Sequence, residues 1–199
     1  MHKLFQFLIG LWFGFTILFC SPQTTSKDRV DAMVKNNKEP LEVFAGSLLR
    51  EILGNQLKSF ELGTNKSNEK ELHLYYGGNS ALSFHDQSEY RDQTLSFHSL
   101  VQLRVVYGFL SFGIPEFSFS LYKPFYIKGE TNPDVEVQDF EVLRTTIPRI
   151  TVQNILEEHP QFDPFVNPKQ NSQDWETINK KIQSQWKLEL DELYRVSLE

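Results

Sequence analysis

The spacing of hydrophobic positions changes period along the chain, and each change marks a new element. Residues 4–19 form an almost unbroken apolar run, interrupted by Gln6, Gly10, Gly14 and Thr16. From Pro40 to Leu53, the residues Leu41, Phe44, Ala45, Leu48, Leu49 and Ile52 recur at the i, i+3, i+4, i+7 spacing that lines one side of a helix. Pro40 suits the first turn, where its missing N–H costs nothing, and Gly54-Asn55 suits the end. A shorter helix is weakly marked over Asp28–Val34.

Beyond Glu71 the period falls to two. Leu72, Leu74 and Tyr76 alternate with polar neighbours up to the turn Gly77-Gly78-Asn79. Ser80–His85 then carries Leu82 and Phe84 at the same period, so the two segments predict a hairpin. Asp86–Asp92 is polar and reads as a loop. Thr94–Phe112 and Glu116–Lys128 read as further strands, separated by Gly113-Ile114-Pro115. In the second of these, Phe117, Phe119 and Leu121 fall on one face while Ser118 and Ser120 fall on the other. Asn132-Pro133-Asp134 makes a turn before a last strand, Val135–Leu143. Strands joined by short turns pair antiparallel, so the pattern predicts a meander of about five strands with one apolar face.

After Pro148 the helical period returns over Ile150–Glu158. Pro160–Pro168 holds three prolines with Phe162 and Phe165, and reads as an extended strap over the core. Trp175, Ile178, Ile182, Trp186, Leu190, Leu193 and Val196 are spaced by threes and fours, and Asp174 and Glu176 stand where a helix dipole favours acids. They predict one long C-terminal helix. The expected fold class is α+β: an antiparallel sheet of about five strands with helices packed on one face, the long C-terminal helix among them.

Composition changes this picture little. A chain of 199 residues with 40% hydrophobic and 23% charged side chains is ordinary for a folded domain. Its net charge of −6 argues against nucleic acid as a partner, because phosphate binding needs a basic surface.

The N-terminus carries the most specific signal. Lys3 precedes the apolar run, which at about 16 residues falls short of the roughly 20 that a spanning helix needs. That layout is a secretory signal's. The chain's single cysteine, Cys20, stands at the boundary, followed by the polar stretch Ser21–Ser26. These residues resemble the lipobox of bacterial lipoproteins, whose cysteine is acylated and becomes the mature N-terminus. Ile17 and Leu18 suit the pattern; Phe19 stands where Gly or Ala is usual, a relaxation similar to that of spirochaetal lipoproteins. The resemblance implies a signal peptide over 1–19, a lipidated Cys20 with a short tether over 20–27, and one globular domain over 28–199. It implies a place in the cell envelope, outside the cytoplasm, with the membrane held through a lipid anchor. Loss of residues 1–19 removes Lys3 and takes the net charge from −6 to −7.

Candidate chemistry is sparse. His73, His85 and His98 fall on predicted neighbouring strands, with Asp86, Glu89 and Asp92 between them, and imidazoles with carboxylates are zinc ligands. No H-x-H or H-E-x-x-H spacing brings two ligands together, so exposed strand histidines are the expectation, with no metal. A G-x-S-x-G elbow and a phosphate loop are missing from the sequence. Acids at positions 1, 4 and 7 of Asp86–Asp92 do not follow a calcium loop's 1, 3, 5 spacing. One cysteine excludes an internal disulfide. The expectation is a protein without catalytic residues or cofactor, not an enzyme: a binding or structural module with a possible envelope protein partner. The alternative is a carrier of an apolar ligand such as a lipid, enclosed between sheet and helices.

Overall fold

Thr25 starts the first helix. Its hydroxyl accepts the Asp28 N–H at 3.1 Å while the Asp28 carboxylate accepts the Thr25 N–H at 3.0 Å. This reciprocal cap satisfies two of the donors a helix start leaves over. The computed structural model describes residues 25–78, 87–127, 136–167 and 172–195. The lipobox with Cys20, the strand expected over Ser80–His85, the turn at Asn132-Pro133-Asp134 and Val196 all lie outside the described residues.

Helix α1 (Ser26–Asn36) starts two residues inside the expected tether, and α2 (Leu41–Leu53) follows the expected bounds closely. Next come β1 (Leu57–Thr64) and β2 (Lys70–Tyr76), an antiparallel pair. Helix α3 (Gln87–Phe109) leads to β3 (Glu116–Ile127), which pairs with β4 (Glu136–Pro148). Helices α4 (Arg149–Glu158) and α5 (Ser172–Ser184) precede a short edge strand, β5 (Lys187–Asp191). The sheet order is β1-β2-β3-β4-β5, and the class is α+β.

Three expectations are corrected. The first concerns the sheet, which is mixed: β2 and β3 run parallel, Leu72 beside Phe117 and Leu74 beside Phe119. The antiparallel partner of β2 is β1, a strand that the hydrophobic pattern left unassigned. Parallel neighbours cannot be joined by a tight turn and need a crossover, here α3.

The second concerns α3 itself. Gln87–Phe109 is one helix of 23 residues, not a polar loop followed by a strand. Tyr90, Thr94, His98, Leu100, Val101, Leu103, Val105, Val106 and Phe109 are all buried, on every side of the helix. A helix buried all round has no amphipathic stripe to betray it. Val101, Val105 and Val106 add the β-branched character of a strand.

The third concerns the C-terminus. Trp175, Ile178 and Ile182 do line α5, but the helix ends at Ser184. Trp186 follows outside it, Leu190 pairs with Arg144 in β5, and Leu193 is buried in a single turn over Leu193–Arg195. Lys187-Leu188-Glu189-Leu190 alternates as an edge strand does, and Leu188, 54% exposed, lies off the helical stripe.

The apolar face of the sheet carries Leu72, Leu74, Tyr76, Phe117, Phe119, Leu121, Leu143 and Ile147, all fully buried. They share one core with residues from all five helices. α3 lies at its centre. Tyr107 Oη donates to the Asp31 carboxylate of α1 at 2.7 Å, and Trp175 Nε1 of α5 donates to Ser96 Oγ at 3.1 Å. Arg104 Nε donates to the Pro164 carbonyl at 2.7 Å, which ties down the strap. As expected there, Phe162 is buried under it and stacks on Trp175 with ring centroids 5.8 Å apart. Gly77 is needed for a close approach: a Cβ on it would sit 2.0 Å from the Tyr122 carbonyl oxygen.

Candidate functional site

Strand alternation gives the sheet two unlike faces, and the histidines divide between them. His73 lies in register with Ser118, on the face opposite Leu72, Leu74 and Tyr76. His98 is on α3, not on a strand, and faces the core. His85 lies outside the described residues. The structure therefore does not bring His73 and His98 together. Among the described residues no group of three or more His, Cys, Asp or Glu side chains is placed to hold a metal ion.

On the helix side His98 sits in a buried polar chain. Tyr76 Oη hydrogen-bonds its Nδ1, and Thr145 Oγ1 lies 2.7 Å from its Nε2. Both partners are hydroxyls, so a neutral ring of either tautomer is satisfied. Gln102 Nε2 donates to Thr145 Oγ1 at 2.8 Å, and Gln102 Oε1 accepts Trp186 Nε1–H at 2.5 Å. Burial pushes the His98 pKa down to about 3. This chain satisfies buried polar groups where α3, β4 and the C-terminal segment meet.

The other face is polar. β2 supplies Glu71, His73 and Tyr75, β3 supplies Ser118 and Ser120, and β4 supplies Arg144 and Thr146. No helix covers this face among the described residues, and a groove of about 340 Å³ opens between it, the β1–β2 turn and the β5 edge. The turn is shaped by Asn65, whose Oδ1 accepts the N–H groups of Ser67 and Glu69, both at 2.9 Å. Asn68 there takes a positive φ of 61°, a conformation asparagine tolerates better than most residues.

Polar groups in the groove are linked into rows. Ser118 Oγ donates to Glu71 and lies 2.9 Å from Thr146 Oγ1, which in turn lies 3.4 Å from Glu189 Oε1. Asn65 Nδ2 donates to Glu116 at 2.8 Å. The Arg144 guanidinium is clamped by both oxygens of Glu141, and that hydrogen bonding raises the Arg144 pKa. Burial alone would raise the Glu141 pKa, but hydrogen bonds from Arg144 and Ser120 hold it below the usual carboxylate range. His73 Nε2 lies 2.9 Å from Ser120 Oγ, and the His73 ring stacks on Tyr75 at 4.3 Å between centroids. Burial lowers the His73 pKa, with Glu71 pulling the other way.

The His73–Ser120 pair has the composition of a nucleophile and its base, but Ser120 is 0% exposed. A carbonyl carbon cannot approach its Oγ, so the contact orients the imidazole and leaves the serine without a substrate. Among the described residues no helix is long and apolar enough to cross a membrane.

No protein-family model, no curated protein and no solved structure matches this chain. What the fold and the site define together is an α+β domain with one sheet face packed on helices and the other open, polar and grooved. Of the residues in that groove, His73 was singled out in the sequence, for its metal chemistry. Ser118 lies on the polar face that the alternation of β3 predicts. Arg144, Glu71 and Glu189 carry no motif, and it is strand register that assembles them.

Proposed function

We propose that this chain is a lipoprotein of the bacterial cell envelope, attached to a membrane through an acylated Cys20, and that its domain is a non-catalytic module which binds a polar ligand on the open face of the sheet. The observation that carries the binding reading is the unequal treatment of the two faces. Solvent-exposed sheet faces need only scattered polar residues, whereas this one has a concave site of about 340 Å³ with its side chains held by one another. In small-ligand sites it is placed polar groups within a concavity that fix the ligand's orientation and give specificity, and this groove supplies such groups.

The support for the anchor is the lipobox resemblance at Ile17–Cys20. Two or more acyl chains give stable attachment, at about 0.8 kcal/mol per buried methylene. The apolar-carrier alternative needs room between sheet and helices. That space holds Tyr76, Phe109, Phe117 and Phe119, each 0% exposed, so nothing there favours it.

Two experiments test the two halves. Metabolic labelling with a palmitate analogue is expected to mark the wild type and not Cys20→Ser; equal labelling of both would remove the anchor. For the binding half, a photo-crosslinking side chain at Lys66, on the groove rim, is compared in cells with one at Asn154, exposed on α4. Adducts specific to position 66 are expected. None at either position, or the same set at both, would remove the binding reading.

A further inference from the structure

The charges around the groove cancel. Lys66, Arg144 and Lys187 line it together with Glu71, Glu116 and Glu189, three of each sign, on a chain whose net charge is −6. Two of the cations already face carboxylates: Arg144 is held by Glu141, and Lys187 Nζ lies 3.3 Å from Glu189. A phosphate or other anion would have to compete with those carboxylates for its donors. A cation would meet Arg144 and the lysines. Neither sign of ligand gains a field.

What the groove does offer is donors and acceptors interleaved at short intervals. Donors at Asn65, Ser67 and Lys187 stand among acceptors at Glu71, Glu116 and Glu189, and Ser118 and Thr146, 5% and 3% exposed, join Glu71 to Glu189 in one hydrogen-bonded row across four strands. Side chains on neighbouring strands repeat every ~4.8 Å, so lining groups on adjacent strands stand about one sugar ring apart. A hydroxyl group both donates and accepts, so a ligand rich in hydroxyls answers both kinds of partner at once. Beside this row the stacked His73 and Tyr75 rings, followed by Tyr122 at 6.4 Å from Tyr75, give the same face an aromatic edge. The apolar C–H face of a pyranose packs on such rings, while its equatorial hydroxyls reach the polar row.

From this we infer that the groove is a binding site for an uncharged saccharide, taken one or two rings at a time. The inference rests on the open face being a binding surface and adds the class of ligand. Binding is non-covalent and consumes nothing. Charged side chains act as hydrogen-bond partners here, fixed in place by their neighbours before the ligand arrives, which lowers the ordering cost of a weak polar contact.

The test uses the full acylated chain in detergent micelles and isothermal titration calorimetry. Its probes are three neutral trisaccharides, namely maltotriose, cellotriose and tri-N-acetylchitotriose, with inorganic phosphate and the zwitterion trialanine as comparators. At least one trisaccharide is expected to bind with one-to-one stoichiometry. Its affinity is expected to fall tenfold or more in Glu71→Gln and in Tyr75→Ala, and to stay within twofold in Asn154→Ala. Unchanged melting curves in the variants separate a lost site from a lost fold; where Tyr75→Ala melts early, Tyr75→Phe, which keeps the ring, is expected to bind as the wild type does. No heat with any trisaccharide, or equal binding by Glu71→Gln and Tyr75→Ala, overturns the saccharide. Phosphate or trialanine binding that is lost in those variants also overturns it, yet leaves the open face as a binding surface. If the position-66 crosslinks fail as well, the binding reading falls with it.

Discussion

His98 has no exposed surface, and burial holds its pKa near 3 while an unfolded histidine titrates near 6.5. The folded state therefore refuses a proton that the unfolded state accepts between those values. Stability from this source is complete above about pH 6.5 and is lost as pH falls toward 3, at up to about 1.4 kcal/mol per pH unit. In denaturant melts run from pH 7 to pH 4, the wild type is expected to lose stability more steeply than His98→Gln, which has no such proton to take up. Parallel slopes would mean that His98 titrates normally. Trp186 poses a different question, since it follows α5 rather than sitting within it. It is part-buried, donates to Gln102 and meets the His98 ring edge-on at 5.1 Å. Trp186→Ala is expected to cost about 2–4 kcal/mol, through lost packing and an unsatisfied Gln102. Lys187→Ala, on an exposed residue, is expected to cost under about 0.5 kcal/mol; similar losses for the two would contradict this packing. The inward role of Trp186 was legible in its spacing from Ile182. That of His98 was not, because nothing in Ser96-Phe97-His98-Ser99 tells a buried helical imidazole from an exposed strand one.

At the scale of elements, α3 is buried on all sides while β5 is a short edge strand. α3 meets the sheet, α1, α5 and the strap, and Gly108 lets α2 approach closely enough that a Cβ would lie 3.1 Å from Ile52 and 3.2 Å from Leu48. β5 pairs along one edge only, over four positions of β4, and its Leu188 is exposed. Backbone amides over Val101–Val106 are thus expected to exchange with solvent only on global unfolding, and those of Lys187–Leu190 by local opening. Hydrogen exchange followed by NMR ranks them directly, and earlier exchange in α3 would contradict its central place. The elements that were legible are those with one apolar side: α2, α4, β2 and β3, where the period of three to four, or of two, survives. α3 was misread for the opposite reason. Burial on all sides erases the period, and the β-branched residues that remain suggest a strand.

At the scale of the whole molecule, residues from every helix and from the sheet share one hydrophobic core. Losing any helix from that core exposes the rest of it, so the chain is expected to melt in one transition. Far-ultraviolet circular dichroism and tryptophan fluorescence of residues 20–199, which reads Trp175 and Trp186, are expected to give coincident curves; separate midpoints would show independent units. The sequence by itself determined local quantities: the apolar run ending at Cys20, the class of the fold, the helices with a stripe, and the two-faced alternation of β2 and β3 that separates Phe117 and Phe119 from Ser118 and Ser120. Those follow from side chains a few residues apart along the chain. Tertiary structure decided everything that depends on which distant segments become neighbours. It made β2 and β3 parallel by sending α3 between them, and divided the last apolar stripe between a helix and an edge strand. It also set Glu71, His73, Ser118, Thr146 and Glu189 around one groove. Strand register is a long-range property, settled by how the whole apolar face can be buried at once, and no short stretch of sequence contains it.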